Sequence, residues 1–242
     1  GGAGEDGGGS AASGGGPASS GGAGGEPIVG TSVGLVSWYR VEAGAGTVLV
    51  DELGGPPLQV TGNASWIPGA PAGGSRHAIR FTSGCASSHP QPASSVVSAL
   101  SSGLSVATWL LWDQPRGAGD QALTGDGSVN WSFRLGTTGY PHLCLALRTS
   151  TGARSFCSAA QLSIGRWTHV AFTWDGAVVR LFIDGAQSGP DQRMTGLIRQ
   201  DPADPQSLGC WGAGGDPLLG ALDDLRIYDR ALAPDEVAPL AR

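Results

Sequence analysis

The acidic side chains are the first candidates for chemistry in this sequence, and their spacing argues against catalysis. Hydrolysis of a glycosidic bond requires two carboxyl groups that face the same substrate, which on a β-strand means acidic residues two or four positions apart. Glu42 and Glu52 have no acidic residue at that spacing. Asp223 and Asp224 are consecutive, so alternation predicts that they point to opposite faces of a strand. The sequence therefore predicts that the chain is not an enzyme.

Histidine and serine give no catalytic or metal-binding pattern either. The spacing of a metal site is missing from the four histidines, which are His77, His89, His142 and His169. No serine lies in the sequence of a nucleophile elbow. His169 lies within an apolar run, which predicts a structural role in a sheet.

Aromatic side chains are the residues best suited to binding. Sugar sites on β-sandwiches present exposed rings that stack on pyranose faces, beside polar groups that bond the hydroxyls. Four aromatic residues are predicted to lie outside the core and are the candidate ligand-binding residues: Trp131, Tyr140, Phe182 and Trp211. Ordinary packing within the sheet is the alternative role for all four. Apolar neighbours and strand motifs predict that four other tryptophans belong to the core: Trp38, Trp109, Trp167 and Trp174.

Composition indicates the fold class and excludes two kinds of partner. The 242 residues include 42 Gly and 16 Pro and lack helical periodicity, so we predict an all-β domain. The net charge is −6 without any basic cluster, which excludes nucleic acid. No apolar run approaches the roughly 20 residues that span a bilayer, so we predict no membrane insertion of this segment. All fourteen cationic residues are arginine, which predicts a bacterial source with GC-rich DNA.

The chain is predicted to consist of a flexible tether, residues 1–26, and one folded domain, residues 27–242. The tether is almost entirely Gly, Ala and Ser, so it lacks the apolar surface that would offset its ordering entropy. It is either a tail without function or a spacer that holds the domain at an extracellular or cell-surface location. In the second case we expect a lipid-anchored cysteine just before Gly1.

A β-hairpin is the clearest element of the domain. Two apolar runs, 167–174 and 178–183, flank the dipeptide Asp175-Gly176, which tolerates the positive φ of a tight turn. Alternation places Phe172 on the core face and Phe182 on the opposite face, which we expect to be partly exposed. The remaining elements are shorter.

Apolar runs predict further strands at 34–41, 47–51, 58–60, 65–67, 76–81, 104–112, 129–135, 142–147, 154–158 and 218–228. Residues 187–206 carry Asp- and Pro-rich turn signals, so we predict a long loop there. Pro234 begins one short closing helix.

Four cysteines predict two disulfides and therefore an oxidising, exported location, with four reduced core thiols as the alternative. A hairpin that turns at residues 149–152 places Cys144 directly opposite Cys157, at a separation that a disulfide accepts. By elimination Cys85 then pairs with Cys210, which links an early strand to a late one.

Four segments, taken in order, resemble a known family: HAIRF, LSVATWLLW, GRWTHVAFTWDGAVVRLFIDG and GALDDLRIYDRAL. At these distances they resemble the laminin-G-like domains of the concanavalin A-like lectin and glucanase superfamily. The resemblance covers about residues 33–240. It implies a two-sheet antiparallel jelly roll of about a dozen strands.

The resemblance also implies a structural Ca²⁺ where the N- and C-terminal strands meet. The matching residues are Asp51 and Asp223, and carbonyls such as that of Gly54 could add ligands. The sequence departs from the family pattern in two places, because ELGGPP follows Asp51 and Thr-Ser, rather than Asp-Gly, follows Phe81. The alternative for Asp223 is a buried carboxylate that accepts backbone N–H bonds.

Without a catalytic pattern, binding or scaffolding remains. The first hypothesis is a non-catalytic extracellular module that recognises a carbohydrate at a bacterial cell surface. The second is a protein-interaction or surface-display module without sugar specificity, since one fold can host both functions. The predicted partner is accordingly a glycan or a surface protein, and no feature of the sequence predicts the oligomeric state.

Overall fold

The computed structural model describes residues 30–87, 103–114, 119–126, 130–136, 141–198, 206–212 and 214–242. The predicted tether lies outside these residues. Strands in the described part, numbered in chain order, are β1 (Leu35–Tyr39), β2 (Val48–Leu49), β3 (Leu58–Pro68), β4 (His77–Ser87), β5 (Leu104–Trp112), β6 (Gln121–Asp126), β7 (Trp131–Gly136), β8 (His142–Thr149), β9 (Gly152–Gln161), β10 (Trp167–Trp174), β11 (Val178–Ile183), β12 (Ala186–Gln187), β13 (Gln192–Arg193), β14 (Gln206–Leu208) and β15 (Gly220–Tyr228). One helix, α1 (Pro234–Val237), and two 3₁₀ turns, Pro71–Gly73 and Ala238–Ala241, complete the described elements.

The strands form one antiparallel, hydrogen-bonded path that curls into two layers. Its order is β12-β11-β10-β5-β15-β4-β14-β6-β7-β8-β9, with β1 added to β15, β3 to β4, β2 to β3 and β13 to β11. The inward faces of the two layers meet in the core, where the Phe172 ring of β10 lies 6.1 Å from Trp131 and 5.0 Å from Phe133 of β7. The predicted all-β jelly-roll sandwich with a short C-terminal helix is confirmed.

The central hairpin has the predicted strands and core face. In the observed register Phe172 opposes Leu181, and both side chains are buried. The opposite face is not partly exposed as we expected. Phe182 lies in a second apolar cluster with Tyr228, Leu232 and other residues, where Val237 of α1 and Leu240 of the following 3₁₀ turn cover it. The prediction was wrong because a segment more than fifty residues later in the chain covers this face.

A pair of glycines accounts for a second difference from the sequence prediction. The predicted short strands around Gly62 are one continuous strand, β3, with a bulge after Asn63. Gly62 has φ of +71° and opposes Gly84 of β4, so the two backbones approach more closely than side chains would allow. This glycine allows close strand contact and does not mark a turn.

The predicted long loop between residues 187 and 206 contains strand residues. The strand β13 lies within it, while β12 and β14 lie at its two ends. β12 and β13 both pair with β11. Each consists of two residues, which is too short for any alternation to be recognised in the sequence.

Both predicted disulfides are present. Cys144 opposes Cys157 across β8 and β9, and Cys85 pairs with Cys210, so β4 is linked to the segment that follows β14. Structural disulfides of this kind point to an oxidising, extracellular location. No helix among the described residues is long and apolar enough to cross a membrane.

Candidate functional site

The predicted aromatic residues do not form one site. Trp131 is 1% exposed and Phe182 is 0% exposed, so both belong to the core and neither ring can stack on a sugar. Tyr140 lies outside the described residues. Trp211 is half-buried, and its indole Nε1–H donates to the carbonyl oxygen of Asp126 at 2.9 Å. Of the four candidates, only Trp211 shows a partly accessible ring in the described part of the chain.

The structure instead places a different tryptophan in a cleft of about 400 Å³. The cleft, named here the Trp66 cleft, is lined by Val41, Glu42, Ala43, Leu49, Val50, Glu52 and Trp66. Its volume lies in the usual range of small-ligand pockets, about 300–1,000 Å³. It therefore combines one aromatic wall, aliphatic side chains and two carboxylates.

Three elements position the Trp66 cleft. Trp66 lies in β3 opposite Ile79 of β4 and packs partly against the core. Its Nε1–H donates to the carbonyl oxygen of Gly46 at 3.1 Å, which fixes the indole against the loop between β1 and β2. Leu49 of β2 opposes Leu58 at the start of β3 and forms the buried floor. The ring is thus held on one edge and half-buried, with part of its surface open to the cleft.

Backbone strain marks the same place. Val41 has φ of +60°, a conformation that is costly for a β-branched residue. Its neighbour Glu42 lines the cleft. The backbone N–H of Arg76 donates to both carboxylate oxygens of Glu42, at 3.0 Å to Oε1 and 3.2 Å to Oε2. The imidazole Nδ1 of His77 lies 3.9 Å from the same carboxylate. Strain of this kind concentrates at functional sites, and here it lies in a residue that lines the cleft.

Exposed aliphatic side chains border the Trp66 cleft. Val50, which lines the cleft, is 63% exposed, and Val48 and Leu53 beside it are 39% and 46% exposed. These are three of the six large apolar residues that the described part of the chain leaves exposed. Contiguous exposed apolar surface of this kind is typical of interaction sites.

The two carboxylates of the cleft differ in their surroundings. Glu52 is exposed to solvent, and both oxygens of Glu42 are held by the backbone N–H of Arg76. The arrangement suits hydrogen bonds and charge contacts with a bound molecule.

His169 is buried in the sheet, where the sequence predicted a structural histidine. It lies opposite Trp109 of β5, edge to face at 5.3 Å between ring centroids. Burial, together with the positive charge of Arg226, lowers the pKa of His169 to about 3. The imidazole is therefore neutral at physiological pH and takes no part in the cleft.

The residues of the implied calcium site lie in separate hydrogen-bond networks. The Asp51 carboxylate is buried and accepts bonds from Ser37 Oγ at 2.6 Å, Trp38 N at 3.0 Å and Leu53 N at 2.9 Å. These donors occupy most of its lone pairs. The N–H of Gly54 donates to the carbonyl oxygen of Asp51 at 3.0 Å.

Asp223 retains a free carboxyl oxygen. Its Oδ2 accepts the N–H of Ala70 at 2.9 Å, while Oδ1 has no hydrogen-bond partner among the described residues. Burial raises the pKa of Asp223 to about 7, although the Ala70 N–H opposes this shift. No group of three or more His, Cys, Asp or Glu side chains in the described ranges could hold a metal ion. Calcium stays a prediction.

The sequence places this architecture in a known family. Residues 86–238, more than half of the chain, match the family described as the Concanavalin A-like lectin/glucanases superfamily. The chain belongs to this superfamily. No curated protein matches its sequence.

Several solved structures share the fold of this chain. This concanavalin A-like domain superposes with a TM-score of 0.66 on domain 4 of AbnA, a GH43 extracellular arabinanase from Geobacillus stearothermophilus, solved in complex with arabinotriose. The two are 21% identical, over 86% of this chain and 98% of the other. At this identity the likeness shows the fold alone.

Two further structures are toxin domains. The binding domain of Paraclostridial Mosquitocidal Protein 1 has a TM-score of 0.62 at 16% identity, over 86% of this chain and 52% of that chain. The binding domain of botulinum neurotoxin DC, in complex with rat synaptotagmin II, has a TM-score of 0.60 at 14% identity, over 86% of this chain and 51% of that chain. The concanavalin A-like domain thus spans about half of each toxin structure.

Sequence reasoning missed the Trp66 cleft because its parts meet only in space. Glu42, Val50 and Trp66 lie on separate segments. Trp66 lies in a short apolar run, near a glycine that is typical of a turn. The exposure of Val48, Val50 and Leu53 is visible only in the structure, because the sequence does not distinguish exposed from buried apolar residues in so short a run.

Proposed function

We propose that this chain is a non-catalytic, extracellular binding module that recognises a carbohydrate in the Trp66 cleft. The observation that carries the proposal is the cleft itself, in which a fixed indole lies beside the carboxylates of Glu42 and Glu52. An aromatic face with hydrogen-bonding side chains at its rim is the combination that sugar rings require, since they present both C–H faces and hydroxyls. Carboxylates accept bonds from those hydroxyls.

The structural neighbours support a binding role. The arabinanase domain was solved with a bound arabinose trisaccharide, and this chain covers nearly all of that domain. The two disulfides support an extracellular setting for the module. The environments of Glu42 and Glu52 support binding without hydrolysis, because neither carboxyl is buried in apolar surroundings.

The charge of the cleft limits the class of sugar. Glu42 and Glu52 are its only charged lining residues, and no arginine lines it. A sugar acid would meet two carboxylates and be repelled. The proposed ligand is therefore a neutral or amino sugar.

A protein partner is the second candidate. The exposed side chains of Val48, Val50 and Leu53 beside the cleft favour it, because exposed apolar patches commonly serve protein contacts. The botulinum binding domain with the same fold was solved in complex with a protein, rat synaptotagmin II. A protein would use these aliphatic residues, whereas a sugar would depend on the indole of Trp66.

The deciding experiment compares two tryptophan variants. The purified chain is screened on a glycan array and by titration with arabinotriose, in parallel with Trp66→Ala and Trp211→Ala. We expect saturable binding to a neutral or amino glycan. The affinity should fall by about tenfold or more in Trp66→Ala, because stacking on an aromatic side chain contributes about 1–3 kcal/mol where nucleic-acid bases are the stacked rings. Trp211→Ala removes a half-buried indole elsewhere and should bind as the wild type does.

Several outcomes would argue against this site. Loss of binding in Trp211→Ala alone would move the site to Trp211, and equal binding by all three proteins would exclude both rings. Absence of glycan binding, with capture of a protein that depends on Val50, would establish the second candidate. Each titration is repeated with Ca²⁺ and with a chelator, and a dependence on Ca²⁺ that disappears in Asp223→Asn would support the calcium prediction.

A further inference from the structure

A second cleft, of about 380 Å³, lies where the β8–β9 hairpin meets β13. It is lined by Thr151, Gly152, Ala153, Arg154, Arg193, Met194 and Thr195. None of these residues lines the Trp66 cleft, and the charge is opposite, because this lining contains two arginines and no carboxylate. We call it the arginine cleft.

The first arginine is held in place by two contacts. The Nη1–H of Arg154 donates to the backbone carbonyl of Arg193 at 3.0 Å. The guanidinium carbon of Arg154 lies 5.3 Å from the centroid of the Phe156 ring, in cation–π contact. A side chain restrained in this way loses less conformational entropy when it binds a ligand.

The second arginine comes from a distant part of the chain. Arg193 lies in β13, which pairs with the start of β11 through Val178. Its side chain is exposed and lines the same cleft as Arg154. The fold therefore brings two arginines that are 39 residues apart in sequence to one cleft, where the Arg154 guanidinium contacts the backbone of Arg193.

The nearby carboxylates are engaged by a different arginine. Arg180 binds Asp191 through two bonds, Nε to Oδ1 at 3.0 Å and Nη2 to Oδ2 at 2.8 Å, and its Nη1 lies 3.4 Å from Asp175 Oδ2. Within the described ranges no acidic side chain pairs with Arg154 or Arg193. Both arginines are exposed to solvent, on a chain whose net charge is −6.

We propose that the arginine cleft binds the anionic group, carboxylate or sulfate, of an acidic polysaccharide. A planar guanidinium matches such groups with two parallel N–H···O bonds. Thr195 also lines the cleft and carries a hydroxyl suited to a neighbouring sugar hydroxyl, whereas the Thr151 hydroxyl donates to the carbonyl oxygen of Thr195 at 2.7 Å. The net charge of −6 disfavours non-specific attachment of an acidic polymer to the chain as a whole. The proposal does not depend on the Trp66 cleft.

Affinity electrophoresis of the full chain in gels that contain one polymer tests the proposal. The polymers are polygalacturonate for carboxylate, dextran sulfate for sulfate and unmodified dextran as the neutral reference. Arg154→Gln and Arg193→Gln are compared with Arg148→Gln, which removes the same charge from an exposed position of the same hairpin outside the cleft. Trp66→Ala is run alongside, and circular dichroism verifies the fold of each variant.

We expect retardation by an acidic polymer and none by dextran. The apparent dissociation constant should rise about tenfold in each of the two cleft variants, because charge-assisted bonds are lost. In Arg148→Gln and Trp66→Ala it should change less than about twofold, since neither side chain lines the cleft. Retardation by only one acidic polymer identifies the group that is bound. Lack of retardation by both acidic polymers, or an equal loss in Arg148→Gln, overturns the proposal.

Discussion

At the scale of single residues, His169 and Asp223 are ionisable groups whose charged forms the fold disfavours. His169 packs against Trp109 with its Nδ1 lacking a hydrogen-bond partner among the described atoms. Asp223 lies in β15 with only Oδ2 bonded. The desolvation of each group disfavours its charged form, which lowers the pKa of His169 to about 3 and raises that of Asp223 to about 7.

The neutral state of His169 predicts loss of stability in acid. Below pH 6.5 the unfolded chain binds a proton at this imidazole, whereas the folded chain does not bind it until about pH 3. The free energy of unfolding therefore falls as pH decreases through this window, by about 1.4 kcal/mol per pH unit. The variant His169→Gln lacks this contribution. Between pH 7 and pH 4.5, its free energy of unfolding, measured with urea, should therefore fall by up to about 3 kcal/mol less than that of the wild type.

Asp223 changes the free energy of unfolding with pH in the opposite direction, but it does so equally in both proteins. Its raised pKa means that the folded state holds a proton that the unfolded chain releases above about pH 4, so its contribution to stability falls as pH rises towards 7. The contribution is present in both wild type and His169→Gln and cancels between them. If the free energy of unfolding depended on pH identically in the two proteins, His169 would be protonated at pH 4.5 in the folded state as it is in the unfolded chain.

At the scale of elements, glycines set the approach of β3 and β4. A Cβ at Gly62 would lie 2.5 Å from the carbonyl oxygen of Ser83, and φ there is +71°. Gly74 has a similar φ of +67°, but its Cβ would meet nothing within 4 Å. Comparing alanine substitutions at Gly62 and Gly74 therefore separates two contributions to the loss of stability, that of the backbone conformation and that of the steric clash.

We expect Gly62→Ala to destabilise the domain by about 2–4 kcal/mol, because strain and overpacking add. Gly74→Ala should cost about 1 kcal/mol, the cost of a left-handed conformation alone. Urea denaturation of both variants measures the difference. If the two variants unfold at the same urea concentration, the strands do not approach as closely at Gly62 as the structure indicates.

The elements that could be predicted from the sequence are those that local rules determine. The β10–β11 hairpin follows from alternation around Asp175-Gly176, and the pairing of Cys144 with Cys157 follows from hairpin register. Phe182 was misplaced because α1 and the turn after it, far along the chain, cover it. The Trp66 cleft could not be predicted, since three separate segments form it and none carries a motif.

At the scale of the whole molecule, two disulfides and two clefts of opposite charge define the domain. The Cys85–Cys210 bridge spans 125 residues, whereas Cys144–Cys157 spans 13 and lies within one hairpin. In the chain-entropy account a bridge restricts the unfolded chain more when its loop is longer. The two clefts share no lining residue, so one chain can present separate sites to neutral and acidic sugars.

The longer disulfide should stabilise the domain more. We expect the Cys85→Ser/Cys210→Ser variant to lose about 2 kcal/mol more free energy of unfolding than Cys144→Ser/Cys157→Ser. Thermal or urea unfolding of both double variants tests this, with the reduced wild-type chain as the reference for loss of both bridges. Equal losses would mean that the unfolded chain is already compact around residues 85 and 210.

The most direct test of the proposed carbohydrate site is to observe the indole N–H signals of the eight tryptophans during a sugar titration. The domain is labelled with ¹⁵N-tryptophan, each signal is assigned by substitution, and arabinotriose and glycans selected on the array are added to saturation. We expect the Trp66 signal to shift, because its ring face contacts the sugar, and the signals of the buried Trp131 and Trp174 to stay unchanged. A saturable shift at Trp211 with Trp66 unchanged would contradict the proposed site.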